Sequence, residues 1–176
     1  TQPSSPLPNV ESYRTYSLWL NRNGSLHFTT ANGSFQDGII NTGLGLIKPG
    51  EWNHFAGVID RETGQMRAYL NGNAAGTDSI GIDNSASNPG TPLYFGDTPE
   101  RDLVPPLNYV VDKTPFKGTL DEIRLWNVAR SEAAIVHDRE RTLEGDEAGL
   151  VGYWRFEEPE GTVFADASPL ENDADL

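Results

Sequence analysis

The chain has no cysteine. Disulfide stapling and cysteine-based zinc sites are therefore excluded, although the absence does not by itself place the protein in the cytosol. It has no apolar run near the roughly 18 residues that a membrane-spanning helix needs, so no membrane insertion is expected. It has no basic cluster either: 13 Lys and Arg stand singly against 26 Asp and Glu, for a net charge of −13. A surface for nucleic acid or an anionic membrane concentrates positive charge, so neither is expected as a partner. The acidic surplus favours solubility and is compatible with divalent cations. The three histidines, His27, His54 and His137, lack metal-ligand spacing. No Gly-x-Ser-x-Gly string offers a serine nucleophile. No signal-peptide pattern is visible and the chain begins at Thr1, which reads as a processed product or an excised fragment.

What is present is turn chemistry and aromatic bulk. Gly 18 and Pro 12 are spread along 176 residues, with four Trp, six Tyr and seven Phe. That balance speaks for many short strands and against long helices, hence a sandwich or barrel in one domain large enough to bury a core. Residues 1–12, with Pro3, Pro6 and Pro8, read as a Pro/Ser-rich arm or linker, and residues 13–176 as the folded domain.

Within that domain the strand pattern starts at Tyr13, where Tyr16, Leu18 and Leu20 alternate with Ser17 and Trp19. Asn21 to Gly24 turns this strand into Leu26-His27-Phe28. Trp52 to Asp60 is apolar on both parities and predicts a central strand covered on both faces. Met66, Ala68 and Leu70 form the next strand, and Asn71-Gly72 is a two-residue hairpin signal. Leu93-Tyr94-Phe95 reads as a short strand and Asp97 to Pro115 as a long loop, a length that is usually functional or mobile. Ser131 caps one predicted helix, Glu132 to Arg141, with Ile135 as its core anchor. Gly149 to Phe156 and Val163-Phe164 are further strands. Asn23-Gly24-Ser25 and Asn32-Gly33-Ser34 match glycosylation acceptors, but Asn-Gly is equally a turn signal and the turn reading is preferred.

Five segments in order carry a resemblance: Trp52 to Asp60, Gly64 to Gly72, Leu93 to Gly96, Phe116 to Asn127, and Gly149 to Phe156. Together they resemble the laminin-G-like family, and more narrowly the bacterial branch of the concanavalin A-like lectin and glucanase fold, related to pentraxins. The resemblance covers roughly Tyr16 to Leu176 and implies an all-β, antiparallel jelly-roll β-sandwich with one short surface helix. The family usually opens with two further strands that have no counterpart before Tyr13. A sandwich short of a strand leaves an edge that a segment of the same protein, or of another chain, can complete.

The resemblance also frames the chemistry. Glucanases on this fold use carboxylates in a Glu-x-Asp-x-x-Glu string, which does not occur in this sequence. Asp121 and Glu122 are adjacent, so on a strand they point to opposite faces and cannot act as a pair. The expectation is a protein that is not an enzyme, with glycoside hydrolase as the disfavoured third reading. In pentraxins the loop after the strand equivalent to Leu93–Gly96 is acidic and binds calcium, which makes Asp97, Glu100 and Asp102 the candidate metal ligands. Asp121, at the start of its strand, is expected to pin a loop by accepting backbone amides, and Trp126 to pack under the helix. The acidic tail from Asp166 to Asp175 reads as turn chemistry. Aromatics off the predicted core parity are Trp19, Tyr69, Trp126 and Tyr109, and Tyr109 in the long loop is the candidate ligand-binding residue. The chain is thus expected to be a noncatalytic recognition or adhesion module, secreted or at the cell surface, binding carbohydrate or an extracellular protein with calcium as the candidate ion. The alternative is a structural subunit of a surface assembly completed by strand exchange through an unpaired edge.

Overall fold

The computed structural model describes residues 15–31, 36–82, 92–97 and 115–175. Among them are ten strands and one helix: β1 (Tyr16–Leu20), β2 (Leu26–Ala31), β3 (Gln36–Asn41), β4 (Phe55–Asp60), β5 (Gln65–Leu70), β6 (Asn73–Ser79), β7 (Ile123–Trp126), α1 (Glu132–Asp138), β8 (Leu150–Trp154), β9 (Val163–Phe164) and β10 (Ala174–Asp175). β1–β2–β3 and β4–β5–β6 form two antiparallel sheets, β9 pairs antiparallel with β10, and β7 pairs with β8. The chain divides into two compact units, one comprising Thr1–Pro89 with Trp126–Leu143, the other Gly90–Leu125 with Glu144–Leu176. The arm assigned to residues 1–12 lies outside the described residues.

The first unit is an all-β sandwich with α1 on its outside. Its core joins Phe28 and Ile40 of one sheet to Met66 and Ala68 of the other and to Ile80, which directly follows β6. Two glycines let the sheets approach. A Cβ on Gly57 would sit 2.4 Å from the Phe28 ring, and one on Gly76 would sit 2.4 Å from Ile40 Cγ2. The opposite face of the β4–β5 pair is covered in its turn, where Val58 and Tyr69 pack with Ile135 of the helix. Ser131 caps that helix by accepting the Ala134 N–H at 3.2 Å. Asn71 and Gly72 both have positive φ in the two-residue β5–β6 turn, the backbone that makes Asn-Gly the favoured pair there.

Polar side chains close the rim of the sandwich. Asp37 pairs with Arg61 and accepts the Gly81 N–H, while Arg61 also donates to the Gly81 carbonyl at 3.0 Å and to Thr30 Oγ1 at 3.1 Å. Ile39, on β3, which among the described residues is an edge strand, donates its N–H to Asp78 Oδ2 at 2.8 Å.

Several expectations are corrected. β4 starts at Phe55 rather than Trp52, because side-chain amides take up the backbone ahead of it: Asn71 Oδ1 accepts the His54 N–H at 2.8 Å. β4 is covered on both faces, yet among the described residues it is an edge strand and not a central one. Leu93–Phe95 is not a strand. Phe95 is held instead by rings, edge-on to Trp154 at 5.0 Å and to Phe156 at 6.3 Å. Tyr69, read as off the core, is buried, because alternation identifies a face and the helix then covers that face.

In the same unit, Tyr16, Leu18 and Leu20 lie on the face of β1 that continues the core face of β2, opposite Thr30, Phe28 and Leu26. Their partners are buried, whereas these three are 36%, 46% and 43% exposed. The apolar surface of this sheet therefore extends past its covered part.

Candidate functional site

The adjacent acids before β7 serve separate purposes. Asp121 Oδ1 accepts the N–H of Glu122 at 3.0 Å, and Glu122 takes the left-handed backbone, with φ of 54°. That conformation is uncommon for a side-chain-bearing residue and is steadied by the local bond. The Glu122 carboxylate pairs with Arg124 and accepts the Tyr153 hydroxyl at 2.7 Å. Tyr153 is fully buried, with the Arg124 and Arg155 guanidinium groups 5.1 Å and 4.9 Å from its ring centre. Glu147 accepts the backbone N–H groups of Glu144 and Gly145. Burial disfavours its charge, but these bonds and the Arg124 charge hold its carboxyl below the ordinary carboxylate range. The cluster is a charge-paired support for β7 and β8.

The closing segment centres on Asp166, which is buried. Its Oδ1 accepts the N–H groups of Tyr153 and Ser168 at 2.8 Å each, and its Oδ2 accepts the Ser168 hydroxyl and the Asn172 N–H at 2.9 Å each. Burial opposes ionisation, yet the donors on Ser168, Tyr153 and Asn172 outweigh it and hold the carboxyl below its ordinary value. Asp173 in turn accepts the Asp166 N–H at 2.9 Å. This is turn chemistry in which side chains take the place of a ladder.

Of the residues proposed as calcium ligands, Asp97 is exposed and follows Gly96, whose carbonyl accepts the Phe116 N–H at 2.7 Å. Glu100, Asp102 and the candidate Tyr109 lie outside the described residues. Trp126 is half-buried, with the Arg130 guanidinium 3.9 Å from its ring centre, and Arg130 is paired with Asp138 of α1. Trp19 donates its ring N–H to Ser17 Oγ at 2.9 Å. Asn23, in the first acceptor-like triplet, makes a turn by accepting the N–H and hydroxyl of Ser25 at 3.1 Å and 2.7 Å. Asn32 of the second triplet is outside the described residues. Among the described residues, no three His, Asp or Glu side chains converge as a metal would require.

Sequence reasoning missed Trp52, having placed it inside a strand. Trp52 stands on the β3–β4 connection and is 70% exposed. The next residue, Asn53, donates Nδ2 to the Glu51 carbonyl at 3.1 Å and accepts Asn71 Nδ2 at 3.1 Å. Asn71 also exchanges bonds with His54, donating its N–H to the His54 carbonyl at 2.8 Å. The carbonyl of Asn71 accepts Arg139 Nη1 at 2.5 Å and Asn73 Nδ2 at 3.3 Å. These amides clasp the connection to the β5–β6 turn at the residues that directly follow Trp52. The available signal was Asn53 itself, since a short amide ahead of a strand competes for backbone groups and delays the ladder.

A family model described as the concanavalin A-like lectin/glucanases superfamily matches residues 4–136. Among solved structures, the chain is similar to a "putative carbohydrate binding protein" from Bacteroides ovatus ATCC 8483, with a TM-score of 0.66 and 23% identity over 91% of this chain. It is also similar to an S-layer domain-containing protein (residues 221–444) from Clostridium thermocellum ATCC 27405, with a TM-score of 0.43 and 18% identity over 73% of this chain. The chain spans 44% of the first of those structures and 58% of the second. No curated protein sequence matches it.

Proposed function

The chain belongs to the concanavalin A-like lectin/glucanases superfamily, and on that premise we propose that it is a noncatalytic carbohydrate-recognition module acting at the cell surface or outside the cell. The observation that carries the lectin side over the glucanase side is the engagement of the acids around β7. Glu122 is held by Arg124 and the Tyr153 hydroxyl, and Asp121 is turned onto the Glu122 amide. A glycosidase needs two carboxyls facing one bond across a cleft, one of them poised to give up a proton. The acids beside β7 are instead built into its support.

The experiment is binding of the purified chain to a panel of immobilised glycans, with and without a calcium chelator, alongside an assay for release of reducing sugar from β-glucans. Selective binding without sugar release is expected. Release of reducing sugar would return the protein to the glucanases. Calcium takes six to eight oxygens, and of its three candidate ligands only Asp97 is among the described residues, so the chelator arm is what tests the ion. Loss of binding on chelation would add calcium, with Glu100 and Asp102 as the remaining candidate ligands.

A second reading has one observation in its favour. The exposed Tyr16, Leu18 and Leu20 continue a core face, which suits a strand from another copy and a structural role in a surface assembly.

A further inference from the structure

We propose that Trp52 is a stacking platform for a neutral hexopyranose unit of an extended glycan, with the Asn53–Asn71 clasp as its positioning element. The proposal rests on the carbohydrate reading above and deepens it by naming the contact and the class of sugar.

Three observations lead to it. Trp52 is the outlier among the four tryptophans: Trp154 is buried, and Trp19 and Trp126 are half-buried, whereas Trp52 is 70% exposed. Tryptophan is on average a well-buried residue, so an indole turned to solvent signals a contact surface more strongly than an exposed leucine does. Secondly, the backbone beneath it is fixed. Asn53 is bonded on both sides of its amide, to the Glu51 carbonyl and to Asn71, and Asn71 bonds both backbone groups of His54. A platform held before binding loses little freedom when its ligand arrives. Thirdly, the clasp is itself anchored: Asn73 Nδ2 and Arg139 Nη1 both donate to the Asn71 carbonyl, so the turn that holds Asn53 is also fixed. The pyranose class follows from the chemistry. A ring whose hydroxyls are mostly equatorial presents a flat patch of C–H groups for an indole face and directs its hydroxyls sideways, clear of the indole. An indole carries no charge to select an anionic sugar, and the chain as a whole is strongly acidic.

The test uses affinity electrophoresis of the whole chain in gels containing, in turn, a soluble β-glucan, a xylan, a galactomannan and an α-glucan. The wild type is expected to be retarded by at least one. Trp52→Ala should weaken that binding about tenfold or more, the scale of one lost aromatic contact, while Trp52→Tyr retains most of it. Leu44→Ala, which removes an equally exposed apolar side chain from the same connection, should bind as the wild type does. Acrylamide quenching gives a readout that a merely structural role would not move. The polysaccharide should shield an accessible tryptophan in the wild type, and that shielding should be absent in Trp52→Tyr. Unchanged thermal melting of Trp52→Ala is expected, given its exposure. Retention of wild-type affinity by Trp52→Ala, or glycan binding that leaves quenching untouched, overturns this site and leaves the carbohydrate reading standing. Failure of the wild type to bind any glycan overturns both.

Discussion

Asp166 shows how a single carboxylate can organise a stretch that has almost no ladder. An ionised carboxylate offers about four acceptor sites, and the four donors from Tyr153, Ser168 and Asn172 occupy them. Asp166→Asn keeps the shape but turns one acceptor into a donor that faces backbone N–H groups. A loss of about 2–3 kcal/mol in urea unfolding at pH 7 is expected, the scale of a buried bond to a charged group lost and its donor left unmatched. The pH dependence has a definite sign. The folded-state value is held below the ordinary one, so the stabilisation is complete above the unfolded value of about 3.9 and disappears as pH falls through the lower, folded value. The gap between wild type and variant should therefore narrow in acid, and an equal gap at pH 7 and below pH 3 would contradict the ionised hub. The sequence showed this region as acidic and turn-like. Which acid accepts the bonds was not legible, because Asp166 and Asp173 differ in burial and not in type.

At the scale of elements, closeness of the two sheets in the first unit depends on positions without side chains. Gly57→Ala would push a methyl group into the Phe28 ring, and overpacking of this kind costs about 1–3 kcal/mol. Combining it with Phe28→Leu should cost less than the two single changes added together, since the smaller side chain relieves the clash. Strict additivity in denaturant titrations would argue against the contact. Elements with local chemistry were readable from the chain: the Asn71-Gly72 turn dictates its backbone, and Ser131 starts α1 with its own hydroxyl. Elements that depend on distant partners were not. Leu93–Phe95 has a strand-like composition but is held by the rings of Trp154 and Phe156, and Tyr69 was hidden by a helix more than sixty residues further along. Trp52 escaped for a related reason, because the Asn53–Asn71 bond that ends the connection spans 18 residues.

For the whole molecule, charge and apolar surface pull in different directions. A net charge of −13 keeps copies apart at low ionic strength, while the β1 face offers them Tyr16, Leu18 and Leu20. If the second reading holds, sedimentation of the intact chain should show multimers that grow with added salt, and Leu18→Ser with Leu20→Ser should return them to single copies. An intact chain that stays monomeric across salt and concentration would dismiss the assembly reading. The jelly-roll class and the superfamily were legible because five weak segments occur in the family's order; the ligand was not, because folds are shared among functions and loops choose between them.

The bond from Ile39 to Asp78 bears on that same balance. A strand at the margin of a sheet is a template, and copies of one protein carry the same template at high local concentration during synthesis. Among the described residues β3 ends its sheet, and with the Ile39 donor already satisfied by a carboxylate it presents an incoming strand with an occupied site and a negative charge at that position. One carboxylate on a neighbouring strand thereby makes this margin a poorer template for pairing than an open row would be.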